Sequence, residues 1–108
     1  MIKMVAMVNR KEGMGKIEFI DYWLNIHAPL EKKWPGLKKY VISITTVAPG
    51  GGEPEYDGIA ELWFEDEDAL KKALESRERQ ISREDFLKFI GRASIIFTKE
   101  HVILDKEK

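Results

Sequence analysis

The sequence predicts one α+β domain, residues 1–108, with its main elements in the order β-α-β-β-α-β. Three observations carry that expectation. Four stretches are rich in β-branched and aromatic residues and have the length of strands. The stretches after the first and third strands repeat their apolar residues at helical spacing. Glycine and proline, the strongest local punctuation, mark several of the breaks between them.

Ile2–Val8 (I-K-M-V-A-M-V) is apolar on nearly both faces, as a central strand covered twice would be. A turn with two glycines, Asn9–Gly15, leads into a helix beginning near Lys16. That helix contains F-I-D-Y-W-L-N-I-H-A-P-L, residues 19–30. At about 100° per residue from Phe19, Trp23 falls near 40°, His27 near 80° and Ile26 near 340°, all in one apolar arc. Pro29 lacks an N–H and disfavours helical geometry at Ala28, so the helix is expected to stop at His27 beside unpartnered carbonyls. One further turn reaches Trp34 before Pro35-Gly36.

Leu37–Val47 reads as the second strand, with Tyr40, Ile42 and Ile44 on one face. Ala48–Glu55 holds three consecutive glycines, but no phosphate-binding GxxxxGK[ST] pattern, and is expected to be a hairpin loop. Tyr56–Glu65 is the third strand. Gly58, Ala60, Leu62 and Phe64 share one face, Ile59, Glu61 and Trp63 the other, with the inner face undetermined. Asp66–Ser76 is a helix with Ala69, Leu70, Ala73 and Leu74 as its core stripe. Ser82-Arg83-Glu84-Asp85 resembles a capping signal opening an extra short helix, whose stripe is Phe86, Phe89 and Ile90 and whose C-cap is Gly91. Ala93–Leu104 is the fourth strand, followed by a charged tail. This order is the split βαβ, or ferredoxin-like, arrangement. Its helices cover one face of the sheet only. The second face still carries apolar residues, and a second copy, sheet against sheet, is the simplest cover.

Composition excludes several classes. The chain is 44% hydrophobic and 34% charged, as a folded globular domain is, and its net charge of −1 offers nothing to nucleic acid or an anionic membrane. No apolar run approaches the roughly 20 residues of a membrane span, and the start lacks a signal-peptide pattern, so a cytoplasmic protein is expected. Absent cysteine rules out disulfides, thiol nucleophiles and thiolate metal sites. Two histidines and scattered carboxylates show no close ligand spacing, and no metal site is expected.

His27 is the candidate for chemistry. A histidine on an apolar helix face is commonly a core residue satisfied by backbone. It is also the side chain best suited to acid–base work near neutral pH. Read functionally, His27 lines an internal pocket and contributes little to packing. Trp23, Tyr22, Phe86 and Phe89 then wall that pocket, while Tyr40, Glu61 or His101 supplies hydrogen bonds, with Trp63 beside Glu61 as a further lining residue.

The blocks at 19–30, P-G-L-K-K-Y-V (35–41), Y-D-G-I-A-E-L-W-F (56–64) and E-H-V-I (100–103) together resemble the EthD family of the dimeric α+β barrel superfamily. The resemblance implies a homodimer whose sheets pair into a barrel, with a pocket in each subunit between helices and sheet. It implies chemistry without metal or organic cofactor, and points again to the histidine of the H-A-P-L block, His27. The expected function is proton transfer, in an isomerisation, dehydration or decarboxylation, on a small hydrophobic or aromatic acid, lactone or polyketide-like compound. The alternative is a non-catalytic accessory dimer that holds a small ligand.

Overall fold

The computed structural model describes residues 1–107. Strands β1 (Ile2–Arg10), β2 (Lys39–Ile44), β3 (Gly58–Phe64) and β4 (Ile90–Lys99) form one antiparallel sheet in the order β2-β3-β1-β4. Helix α1 (Lys16–Tyr22), a π-helical turn (Trp23–His27) and α2 (Ala28–Glu31) follow β1. Helices α3 (Glu67–Leu74) and α4 (Arg77–Phe89) follow β3. With β1 between β3 and β4 this is the ferredoxin-like arrangement, carrying an additional helix in its second crossover.

Strand alternation sorts the core. Ile2, Met4, Ala6 and Val8 of β1 are buried under the helices, as are Ala60, Leu62 and Phe64 of β3. Their neighbours Lys3, Val5 and Met7, with Ile59 and Glu61, lie on the opposite, half-exposed face. The register pairs Lys3 with Trp63, Val5 with Glu61 and Met7 with Ile59, which settles the face of Glu61 and Trp63. Both are on the side away from the helices.

The first helical segment departs from expectation at Pro29. Ala28 remains right-handed helical, and its N–H donates to the carbonyl of Trp23, five residues back. The missing proline N–H is absorbed by widening one turn to the π form, and the helix runs on to Glu31. More residues share that turn, so each advances by less than 100°. His27, expected inside the apolar arc, stays on the buried face and is 1% exposed. Ile26, expected inside the arc, swings out and is 50% exposed.

The second helical region also starts earlier than the capping signal suggests. Ser76, not Ser82, caps α4, its hydroxyl accepting the N–H of Arg79 at 3.1 Å. Asp66 caps α3 by accepting from Ala69 at 2.9 Å. Ser82 and Asp85 therefore sit inside α4, and both are buried. The helix passes directly into β4, where Gly91 is a strand residue packed against the Arg10 carbonyl rather than a helix cap. β4 ends at Lys99, opposite Ile2, because the sheet has no neighbouring strand beyond that point. The residues expected to continue it, Val102, Ile103 and Leu104, are exposed.

Between β2 and β3 the three glycines Gly50–Gly52 all adopt positive φ in an exposed turn. Its roots are tied down. Asp57 accepts the Arg10 N–H at 2.8 Å and a guanidinium hydrogen at 2.6 Å, and Thr45 donates to the Tyr56 carbonyl at 2.7 Å.

Trp23 is the side chain on which the layers close. It is 2% exposed, its ring centroid lies 5.3 Å from that of Phe19, and it presses on the sheet at Gly58. A Cβ at position 58 would overlap the indole ring. Trp23→Ala is expected to cost about 3–5 kcal/mol by emptying this space. Gly58→Ala is expected to cost about 1–3 kcal/mol by overfilling it. Denaturant unfolding measures both, and a loss below about 1 kcal/mol for Trp23→Ala would mean that the indole is not a core element.

Candidate active site

The site lies between the helices and the inner face of the sheet, at the end of the π turn. His27 enters from the turn, Glu31 follows one turn later on α2, and Asp85 comes from α4. The His27 Nδ1–H donates to Asp85 Oδ2 at 2.9 Å, while the Tyr22 hydroxyl donates to the other oxygen, Oδ1, at 2.6 Å. Asp85 is thus shared between two residues of the first helical segment. An ionised carboxylate accepts only, so this bond fixes the proton of a neutral His27 ring on Nδ1.

Nε2 is left over. It lies 3.4 Å from Glu31 Oε2, without hydrogen-bond geometry, and among the described residues it has no hydrogen-bond partner. The Tyr40 hydroxyl, reaching in from β2, is the second buried polar atom without a partner. Buried polar groups are nearly always satisfied, so these two, both beside the Glu31 carboxylate, stay open to a further hydrogen bond.

Burial alone would pull the His27 pKa down. The negative charge of Glu31, 3.4 Å away, together with the hydrogen bond to Asp85 and its charge, outweighs that penalty, and the pKa is raised from its ordinary value. Tyr22 is pushed up to about 12, chiefly by its hydrogen bond to Asp85 and then by burial and the carboxylate charge. Tyr40 is raised further, mainly by burial and next by the Glu31 charge. Both phenols stay protonated.

A cavity of about 40 Å³ adjoins this group, with His27, Glu31, Trp23, Trp34 and Phe86 on the helix side and Met4, Ala6, Ala60 and Leu62 as the sheet floor. That is room for roughly three waters. Ser82 holds Trp34 in place, accepting its indole N–H at 2.8 Å.

Of the residues expected at the site, His27, Trp23 and Phe86 line the cavity. Tyr22, Tyr40 and Phe89 stand behind it. Phe89 is fully buried, 5.0 Å from the His27 ring centroid and 4.9 Å from that of Tyr22. The structure does not bring Glu61, Trp63 or His101 to this group. Glu61 is on the far side of the sheet, bonded to Lys3 at 2.9 Å. Trp63 shares that face and donates to Glu100 at 2.9 Å. His101 lies in the exposed segment after β4. His27 itself is more deeply set than expected. Its ring packs between Phe86 and Phe89, so it contributes to packing as well as lining a cavity.

Sequence reasoning did not find Glu31, Trp34, Arg79, Ser82, Arg83 or Asp85. A signal was present for two of them. Ser82, Asp85, Phe86 and Phe89 are spaced i, i+3, i+4, i+7, which puts two polar groups on a buried stripe once the helix is known to start at Arg77. Among the described residues, no group of three or more His, Cys, Asp or Glu side chains is arranged to hold a metal ion, and no helix is long and apolar enough to cross a membrane.

Comparison with known proteins agrees with this architecture. No functionally curated protein matches the sequence. An EthD family protein from Bacillus halodurans superposes with a TM-score of 0.84 at 28% identity, over 94% of this chain and 99% of that one. A DABB family protein with a ferredoxin-like fold from Mesorhizobium loti is similar in fold, with a TM-score of 0.73 at 11% identity over 94% and 97% of the two chains. SnoaB from Streptomyces nogalater, described as a cofactor-independent oxygenase, superposes at 0.69 with 12% identity over 97% of each chain. The EthD domain itself matches residues 11–93, a span running from the turn after β1 to the middle of β4 and containing His27, Glu31 and Asp85. By that match the chain belongs to the EthD family.

Proposed function

We propose that this protein is a small-molecule enzyme that transfers protons with its own side chains, His27 being the acid and base. The observation that carries this reading is a buried histidine held by a carboxylate through Nδ1, with its Nε2 unpartnered on the wall of a cavity. With the proton on Nδ1, the Nε2 lone pair takes a proton from a substrate carbon next to a carbonyl. The bonding electrons move into the enolate. Asp85 and Glu31 balance the imidazolium that forms. Return of the proton to another carbon gives isomerisation, and its delivery to a departing hydroxyl gives loss of water. Both sequences balance without an oxidant or reductant. The apolar cavity floor and the few polar groups at one end suit a small hydrophobic or aromatic substrate. The description of SnoaB lends support, since it too works on this fold without a cofactor.

The same reading makes the protein a homodimer. On the outer face of the sheet Val5, Met7, Val41 and Ile59 are half-buried and Ile96 is 47% exposed, with no helix above them. Two structural neighbours, from Thermobifida fusca and Bacteroides fragilis, are described as dimeric. Sedimentation is expected to give twice the 12.5 kDa chain mass, and Ile59→Asp is expected to halve it. A wild-type monomer at micromolar concentration would rule the arrangement out.

Screened against lactones and against hydroxy and phenolic acids, the wild type should turn over at least one compound. His27→Gln should lower that turnover by about 10²-fold or more. Saturable binding with no turnover would instead identify an accessory binding module.

The raised pKa sets a second test. A histidine whose folded pKa lies above its ordinary ~6.5 adds stability that is complete below that pH and is lost as pH rises through the folded value. The melting deficit of His27→Gln relative to wild type should therefore be larger near pH 6 than near pH 9. A deficit that stays flat or grows with pH would contradict the carboxylate–imidazolium contact.

A further inference from the structure

Two cations at the cavity have no task in the proton-transfer scheme. Arg79 and Arg83 are four residues apart on α4, about 6 Å along its axis, and both line the cavity that holds His27. Among the described residues neither guanidinium makes an ion pair or a side-chain hydrogen bond. Arg10 and Arg92 contrast with them. Arg10 is bound to Asp57 at 2.6 Å, and Arg92 bonds Asn9 at 3.1 Å and lies over the Tyr56 ring. Arg79 is half-buried and still unpaired.

The carboxylates that share this cavity region do not neutralise them. Asp85 spends its oxygens on Tyr22 and His27, and Glu31 lies against His27 Nε2. A guanidinium offers a planar fork of donors that matches a carboxylate, and it is costly to leave one half-buried without an acceptor. Opposite the pair is an apolar floor of Met4, Ala6 and Leu62. A cationic rim above an apolar floor describes an amphipathic anion.

We propose that Arg79 and Arg83 form an anion-binding rim that makes the His27 pocket selective for hydrophobic monocarboxylates. This rests on the reading of the cavity as a small-molecule site, and it narrows the lactones and acids considered there to the acids. The carboxylate stays at the rim while the apolar body enters between helices and sheet.

The test uses hexanoate and 4-phenylbutyrate with hexanamide and 4-phenylbutyramide as uncharged counterparts. Binding is measured by calorimetry and by NMR shifts of the Trp23 and Trp34 indole N–H groups, with Trp63 on the far face as the control. The wild type should bind an acid about tenfold or more tightly than its amide, the gain expected of a charge-assisted pair. In Arg79→Gln/Arg83→Gln the gap should close to about threefold or less. Arg79→Lys/Arg83→Lys, which keeps the charge and loses the fork, should fall between. Unchanged melting of both variants would show that the fold persists. Should acid and amide bind the wild type equally while shifting Trp23 and Trp34, the rim is wrong and the pocket stands. An acid preference that survives the double glutamine variant also overturns the rim. If no compound shifts those indoles at millimolar concentration, the pocket reading fails and the rim fails with it.

Discussion

The Asp85 carboxylate, buried between two helical segments, sets the terms for the rest of this structure. An ionised carboxylate without partners in an apolar interior would cost several kcal/mol. Here each oxygen is taken, by the Tyr22 hydroxyl and by His27 Nδ1–H. Those bonds cross 63 and 58 residues of sequence. They fix how far along its axis, and in which rotation, α4 lies against the first helical segment. Phe89, one turn beyond Asp85, closes the same contact with an aromatic cluster that includes Phe19, Tyr22 and Trp23.

The π turn serves that contact. A regular helix would carry Pro29 as a break. Widening one turn accommodates the proline and rotates His27 toward Asp85 in a single adjustment. Irregular helical turns aim side chains off the regular repeat, and this one aims the only buried histidine among the described residues. Holding it through Nδ1 has a chemical result. The remaining nitrogen is oriented and unpartnered, next to a cavity.

The two faces of the sheet divide the labour of the protein. The inner face carries small side chains, Ala6 and Ala60, below the cavity and larger ones around it. The outer face carries a row of Lys3, Trp63 and Lys39 at one end, with both ammonium groups over the indole at 5.0 and 4.7 Å, and apolar side chains toward the other. Glu61, Trp63 and Glu100 belong to that outer network, across the sheet from His27.

Strand alternation, helical spacing and the placement of Gly and Pro depend on neighbours a few residues apart, and so they were legible in the sequence. They yielded the ferredoxin-like order, the uncovered face and the core positions Phe19, Trp23, Leu70 and Ala73. His27 stood out for the same reason, as a titratable group in an apolar arc. Local pattern misled where two local rules competed. Ser82 and Asp85 fit a capping signal, yet Ser76 took the cap and left them on the buried stripe of α4. Pro29 signalled a helix end, yet a π turn carried the chain past it. Which carboxylate meets which nitrogen, which face of β3 turns inward, and which arginines remain unpaired were decided only by tertiary structure. Each depends on the register between strands and on the rotation of α4 against the first helical segment, relations between residues some 20 to 60 positions apart that no short window contains.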